Sequence, residues 1–185
     1  MKLCFDFLTS FVPFSELRSN FLSSLHRDVS INCKEMMKIK KSSIEDDEIL
    51  TEITKKSKAY WGYSSEQMEN WSELLTITKS YIQDNNVYKL LSDNLTVGYY
   101  SYIYLNKKEV ELDNLFVLPN YIGSGFGKLL MNDFLNRIKH TEVEKVIVES
   151  EPNAEKFYCY FGFIKIGQIE TTIKDRYLPI MELKM

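Results

Sequence analysis

Gly123, Gly125 and Gly127 alternate with Ile122, Ser124 and Phe126 immediately ahead of a periodic apolar segment. A glycine-rich turn running into a helix can do chemistry. The first helical turn offers unpaired N–H groups and a partial positive charge to an anion. Without side chains at the three glycines, a pyrophosphate can approach the main chain. Two nucleotide motifs resemble this run and fit it poorly. A P-loop places four residues between its first glycine and Gly-Lys-Ser/Thr. Here only three separate Gly123 from Gly127-Lys128, and Leu129 stands where a magnesium-binding hydroxyl belongs. A dinucleotide fingerprint puts its third glycine one position later, at Lys128, inside a parallel βαβ unit. The strands ahead of this loop read as antiparallel.

Proton transfer needs titratable groups near such a loop. Glu111 and Asp113 precede it on a segment of strand period, two apart and therefore on one face. They are candidates for a general base, or else solvated edge residues. Cys159 could serve as a nucleophile, but no His lies near it in sequence, and a small helix residue accounts for it better. His26 and His140 read as structural; His140 follows a long helix, where a cation suits the C-terminal dipole. The three cysteines, Cys4, Cys33 and Cys159, form no CxxC pair, which fits a reducing compartment and offers no zinc spacing.

The elements that must position these groups follow from the hydrophobic pattern. Met37 to Lys41 reads as a short edge strand. Ser42 or Ser43 caps a helix carrying Ile44, Ile49, Leu50 and Ile53 at helical spacing to about Tyr60. Gly62 ends it, and Ser64-Ser65 with Glu66 starts another through Leu74-Leu75. A helical turn follows at Lys79 to Gln83. Val87–Leu91, Leu95–Leu105 and Val110–Leu118 then form an antiparallel meander separated by Ser92-Asp93-Asn94 and Asn106-Lys107-Lys108. After the glycine loop comes a helix with Leu129, Leu130, Phe134, Leu135 and Ile138. Val143–Ser150 is expected to lie parallel to the strand before the loop. A short helix spans Asn153–Tyr160, Gly162 ends it, and Phe163–Glu170 with Tyr177–Lys184 closes the sheet. The prediction is a mixed, mostly antiparallel α/β sheet (α+β type) flanked by helices.

Bulk properties agree with one such domain. The chain has 185 residues, a net charge of −3, 44% hydrophobic residues, and twelve Tyr and eleven Phe. That length suits a single well-buried core, and the aromatics can furnish a large core or an aromatic-lined pocket. The acidic balance argues against nucleic acid as a partner. No run reaches the roughly 18 apolar residues needed to span a bilayer, and Asp6 and Pro13 interrupt the apolar stretch Leu3–Phe14 that a signal peptide would require. A cytoplasmic protein with no membrane partner is expected. Residues 1–36 read as an extension, either a helical arm or the product of a start codon upstream of Met37, and 37–185 as the domain.

Leu115-Phe116-Val117-Leu118-Pro119, the glycine loop, and Asn153-Ala154-Glu155-Lys156-Phe157-Tyr158-Cys159-Tyr160-Phe161-Gly162-Phe163 together resemble the GNAT superfamily of acetyl-CoA-dependent N-acetyltransferases. The resemblance covers Met37 to Met185. The run Ala59-Tyr60-Trp61-Gly62-Tyr63-Ser64 resembles an aromatic motif of a bacterial subgroup. The resemblance implies a splayed central strand pair and acetyl-CoA as cosubstrate, with no metal. It implies that Phe116, Val117 and Leu118 pair with pantetheine amides. Main-chain N–H groups of Ile122, Gly123, Ser124, Gly125, Phe126, Gly127 and Lys128 would hold the pyrophosphate, and Asn153 and Phe157 would touch the pantetheine arm. Ile122 departs from the Arg or Gln that usually begins the family motif, at a position whose contacts are mainly main-chain. Lys128 either adds charge near phosphate or is a solvated helix residue.

The same resemblance assigns catalytic residues. The family's usual proton donor to the departing thiolate falls on Tyr158, whose plainer reading is a packed core ring; Tyr160 faces elsewhere. Glu111 matches, by distance from the loop, a catalytic Glu of some members, while others use ordered water. The 59–64 aromatics either line an amine pocket, where they could hold a cation, or staple two helices, and Arg176-Tyr177-Leu178-Pro179 approaches the same side. The implied function is direct acetyl transfer to a primary amine of a small molecule or peptide, with homodimerisation left open. The alternative is a catalytically weak CoA-binding regulatory module.

Overall fold

The computed structural model describes residues 37–171 and 176–185. The expected extension 1–36, with Cys4, Cys33 and His26, lies outside these residues. Seven strands form one sheet: β1 (Met37–Lys41), β2 (Asn86–Ser92), β3 (Leu95–Asn106), β4 (Glu109–Val117), β5 (Lys145–Glu149), β6 (Ile164–Glu170) and β7 (Tyr177–Lys184). Their spatial order is β1-β2-β3-β4-β5-β7-β6. All pairs are antiparallel except β4 with β5. The predicted mixed, mostly antiparallel sheet is therefore the observed one.

Helices cover both faces. On one face lie α1 (Asp47–Ala59) and α3 (Lys79–Asp84), with α2 (Ser65–Asn70) between them along the chain. Leu50 and Ile53 of α1 pack there with Ile82, Val87 and Tyr99. On the other face lie α4 (Phe126–Ile138) and α5 (Glu155–Tyr160). The buried stripe of α4 is Leu130, Met131, Phe134 and Ile138, the i, i+4, i+8 pattern of an amphipathic helix. Leu129, expected in that stripe, is 39% exposed. Local chemistry fixes the helix ends. Ser64 caps α2 through a capping box with Gln67. α2 ends at Asn70, with hydrogen-bonded turns in place of the helix expected through Leu75.

The parallel pair is short. Glu109, Val110 and Glu111 pair with Lys145, Val146 and Ile147, and the pairing stops there. β4 then runs on to Val117 against β3, and β5 runs on to Glu149 against β7. Just past the last shared pair, Ser101 of β3 opposes Asn114 and Tyr102 opposes Leu112, which leaves Asp113 as an extra residue in β4. Such a bulge bends the strand that carries it and sharpens its twist, so the arms part where the bulge sits.

Close approach over the β3–β4 pair depends on Gly98. A Cβ there would lie 2.7 Å from the Phe116 carbonyl oxygen and 3.3 Å from both Leu130 Cδ1 and Val117 Cγ2. The nearest of these atoms is backbone and cannot rotate away. Gly98→Ala is expected to destabilise the fold by about 1–3 kcal/mol. Urea unfolding measures this, and an unchanged midpoint would contradict the close packing described.

Candidate active site

The parting of β4 and β5 opens a cleft of about 670 Å³, within the range of small-molecule sites. One wall is the arm of β4 with the loop after it. The other is the end of β5 with the turn Pro152–Ala154 and α5.

The glycine loop forms one end. Pro119–Tyr121 makes a 3₁₀ turn, then Gly123 and Gly125 adopt φ of +82° and +86°. This left-handed region favours glycine. A Cβ at either residue would meet no atom within 4 Å, so backbone conformation rather than crowding explains these two glycines. Gly127 differs: its Cβ direction faces Phe157 Cε2 at 3.5 Å, where α4 packs on α5. Two loop amides close local turns, Ile122 N–H to Pro119 at 3.1 Å and Ser124 N–H to Tyr121 at 3.3 Å. Past Gly125, the amides of Phe126, Gly127 and Lys128 form the first turn of α4 and point out of its end.

The β4 edge is more selective than the sequence suggests. Leu118 donates its N–H to Val97 of β3 at 2.8 Å, and its carbonyl accepts from Tyr121 at 2.9 Å. A trans peptide sets adjacent C=O and N–H groups in opposite directions, so the Val117 carbonyl points away from β3 into the gap. Ser57 Oγ donates to it at 2.7 Å. The Phe116 carbonyl faces Gly98 of β3, which turns the Val117 N–H toward the gap as well. Of Phe116, Val117 and Leu118, only Val117 presents its backbone there.

The remaining predicted residues fall as follows. Glu111, Phe116, Val117, Ile122, Gly123, Gly125, Gly127, Lys128, Asn153, Phe157 and Tyr158 line the cleft. Leu118, Ser124 and Phe126 do not. Leu118 packs on the α1 face, Ser124 is tied into its turn, and the Phe126 ring packs edge-on to Tyr121 at 5.1 Å. Lys128 reaches across to α5, its Nζ 2.5 Å from the Tyr160 hydroxyl and 4.3 Å from that ring's centre.

Tyr158 is 7% exposed, wedged edge-on between Phe157 and Phe163. No hydrogen bond engages its hydroxyl among the described residues, and burial pushes its pKa above the ordinary phenol value. Glu111 sits at the fork itself. Burial, with the nearby charges of Asp113 and Glu149, raises its carboxyl above the usual 4.5. Asp113 is engaged by the Tyr81 hydroxyl and by Asn114 at 2.7 Å. Cys159 is exposed.

A cluster centred on Glu151, which no motif marked, stands at the wall of this cleft. Glu151 accepts from Lys58 Nζ at 2.6 Å, the Tyr63 hydroxyl at 2.6 Å and Arg176 at 2.9 Å. Burial raises the Glu151 carboxyl, but the hydrogen bonds from Lys58 and Tyr63 and the charges of Lys58 and Arg176 together hold it below 4.5. Burial and Glu151 push Tyr63 up to about 12. The cluster brings the 59–64 aromatic segment and the Arg176 segment, both expected on the acceptor side, onto Glu151. Among the described residues, no helix is long and apolar enough to cross a membrane.

Comparison with known proteins agrees with this architecture. The chain is 33% identical over 92 residues to the [ribosomal protein bS18]-alanine N-acetyltransferase of Haemophilus influenzae; the match covers 49% of this chain and 60% of that relative's length. The GCN5-related N-acetyltransferase from Rhodopseudomonas palustris superposes with a TM-score of 0.66 at 18% identity, covering 80% of this chain and 95% of that one. The PaiA N-acetyltransferase from Thermoplasma acidophilum, solved in complex with coenzyme A, gives 0.65 at 22% identity, covering 80% and 99%. Arabidopsis thaliana Naa50 in complex with the bisubstrate analogue CoA-Ac-MVNAL gives 0.57 at 17%, covering 81% and 99%. These three likenesses concern the fold. The acetyltransferase (GNAT) domain model matches residues 37–180, most of the chain, and the protein therefore belongs to the GNAT acetyltransferase family.

Proposed function

We propose that this protein transfers an acetyl group directly from acetyl-CoA to a primary amine of a small molecule or peptide. One observation carries the reading: a single cleft joins a helix-start anion cradle, a gap-facing strand edge at Val117, and the unpartnered Tyr158 hydroxyl. The residues fit the cosubstrate. Gly123 and Gly125 leave the loop face open, and the first-turn amides of α4 suit a pyrophosphate. The Val117 N–H is oriented to bond a pantetheine carbonyl, with Phe157 and Asn153 along the opposite wall. Acetyl-CoA supplies an activated thioester. The Haemophilus relative is named for acting on a ribosomal-protein alanine, which favours a peptide amine among the acceptors.

In this reading Glu111 takes the proton from the ammonium, directly or through water. Burial and the charges of Asp113 and Glu149 raise its carboxyl above 4.5, which makes it a stronger base than an exposed carboxylate. Tyr158, kept protonated by burial, holds a proton for the departing sulfur. Asp113 is the weaker base, because Tyr81 and Asn114 already occupy its carboxylate.

Three outcomes are expected. Gly125→Glu puts charge into the cradle and abolishes acetyl-CoA binding by calorimetry; the fold survives with a backbone cost of about 1–2 kcal/mol for φ > 0. Normal binding would place the pyrophosphate elsewhere. Tyr158→Phe lowers turnover in a thiol-release assay by about a hundredfold or more with acetyl-CoA affinity retained, and unchanged turnover would remove Tyr158 from the mechanism. In the pH profile of kcat/KM, wild type shows an acidic limb above 4.5, because the base works only when deprotonated. Glu111→Gln loses that limb and is slower at neutral pH. Superimposable profiles would assign the base to water.

A further inference from the structure

Ser57 and Lys58, consecutive residues in the last turn of α1, reach opposite arms of the fork. Ser57 Oγ donates to the Val117 carbonyl of β4 at 2.7 Å, and Lys58 Nζ donates to Glu151, just past the end of β5, at 2.6 Å. Both ties are sheltered. Ser57 is 4% exposed, and the Lys58 and Glu151 side chains are 17% and 13% exposed. Beyond Glu111 and Ile147 the strands no longer pair, so one helical turn links the two arms where they have separated.

The β5 end of this link is reinforced. Tyr63 and Arg176 share the Glu151 carboxylate, Arg176 Nε donates to the Tyr63 hydroxyl at 3.1 Å, and Trp71 packs edge-on to Tyr63 at 5.0 Å. A half-buried carboxylate with three donors, two of them cationic, is held much more firmly than an exposed ion pair. The β4 end is a neutral bond, but it lies in a buried setting where its loss leaves a carbonyl without a partner.

We propose that Ser57 and Lys58 brace the cleft, fixing the separation of β4 and β5, with Glu151 as the far anchor. All three are positioning residues for the molecule held between the arms, and this rests on reading the cleft as the acetyl-CoA site. A brace holds a distance only while both ends are attached. Cutting either end releases it, and cutting the second adds little. Two independent ligand contacts, or two unrelated losses of stability, would instead add.

Calorimetric titration with acetyl-CoA of wild type, Ser57→Ala, Glu151→Gln and the double variant tests this, with thermal unfolding recorded alongside. Each single variant is expected to bind about tenfold more weakly, and the double variant weaker by the same factor of about ten rather than about a hundred. Multiplicative losses would overturn the brace, as would either single variant binding like wild type. Lys58→Met cuts the same tie if Glu151→Gln does not fold, and Lys58→Arg, which keeps a cation on Glu151, is expected to retain affinity. Equal losses in Lys58→Arg and Lys58→Met would also count against it. A wild-type chain that fails to bind acetyl-CoA would sink the proposed function and the brace together. Additive losses in a binding-competent wild type would sink the brace alone.

Discussion

The structure turns on the point where β4 and β5 stop pairing. Three residue pairs hold the strands parallel, and after Glu111 and Ile147 each strand depends on its outer neighbour. Two unpaired strand edges inside a sheet are costly unless something satisfies them. At Val117 part of that need is met by Ser57, while the N–H is left facing the gap. The same divergence gives the glycine loop an open face and puts a base candidate, Glu111, at the apex.

The two faces of the sheet then take different tasks. On the α4–α5 side, Gly123 and Gly125 turn the chain into the start of α4 beside the cleft, and Gly127 packs on Phe157. Tyr158 enters from this side, packed edge-on between Phe157 and Phe163. On the α1–α3 side, Lys58, Tyr63, Trp71, Arg176 and Glu151 knit three distant segments into one wall. Both nearby cations are engaged by a carboxylate of the protein itself, so charge on this wall is largely internal.

Much of the fold was legible in the sequence because its signals are local. Strand alternation, capping residues and glycine stops each act within a few residues, and they placed each strand among the described residues. The loop and the Asn153–Phe163 run were legible through their order along the chain. What escaped was set by register and distance. The bulge at Asp113 exists only opposite Ser101 and Tyr102, so no pattern within β4 announces it. Phe116 and Leu118 looked equivalent to Val117 until their pairing with β3 was known. Ser57 and Glu151 carry no motif; each gains meaning from a partner 60 and 93 residues away.

The central claim is that one molecule of acetyl-CoA lies along this cleft, between the Val117 edge and the start of α4. Amide chemical shifts followed by NMR during an acetyl-CoA titration test it most directly. The account predicts saturable shifts at Val117, Gly123 and Gly125–Lys128, with β1 and the outer edge of β6 unmoved. Saturable shifts centred away from the fork, or none at concentrations where the thioester is intact, would contradict it.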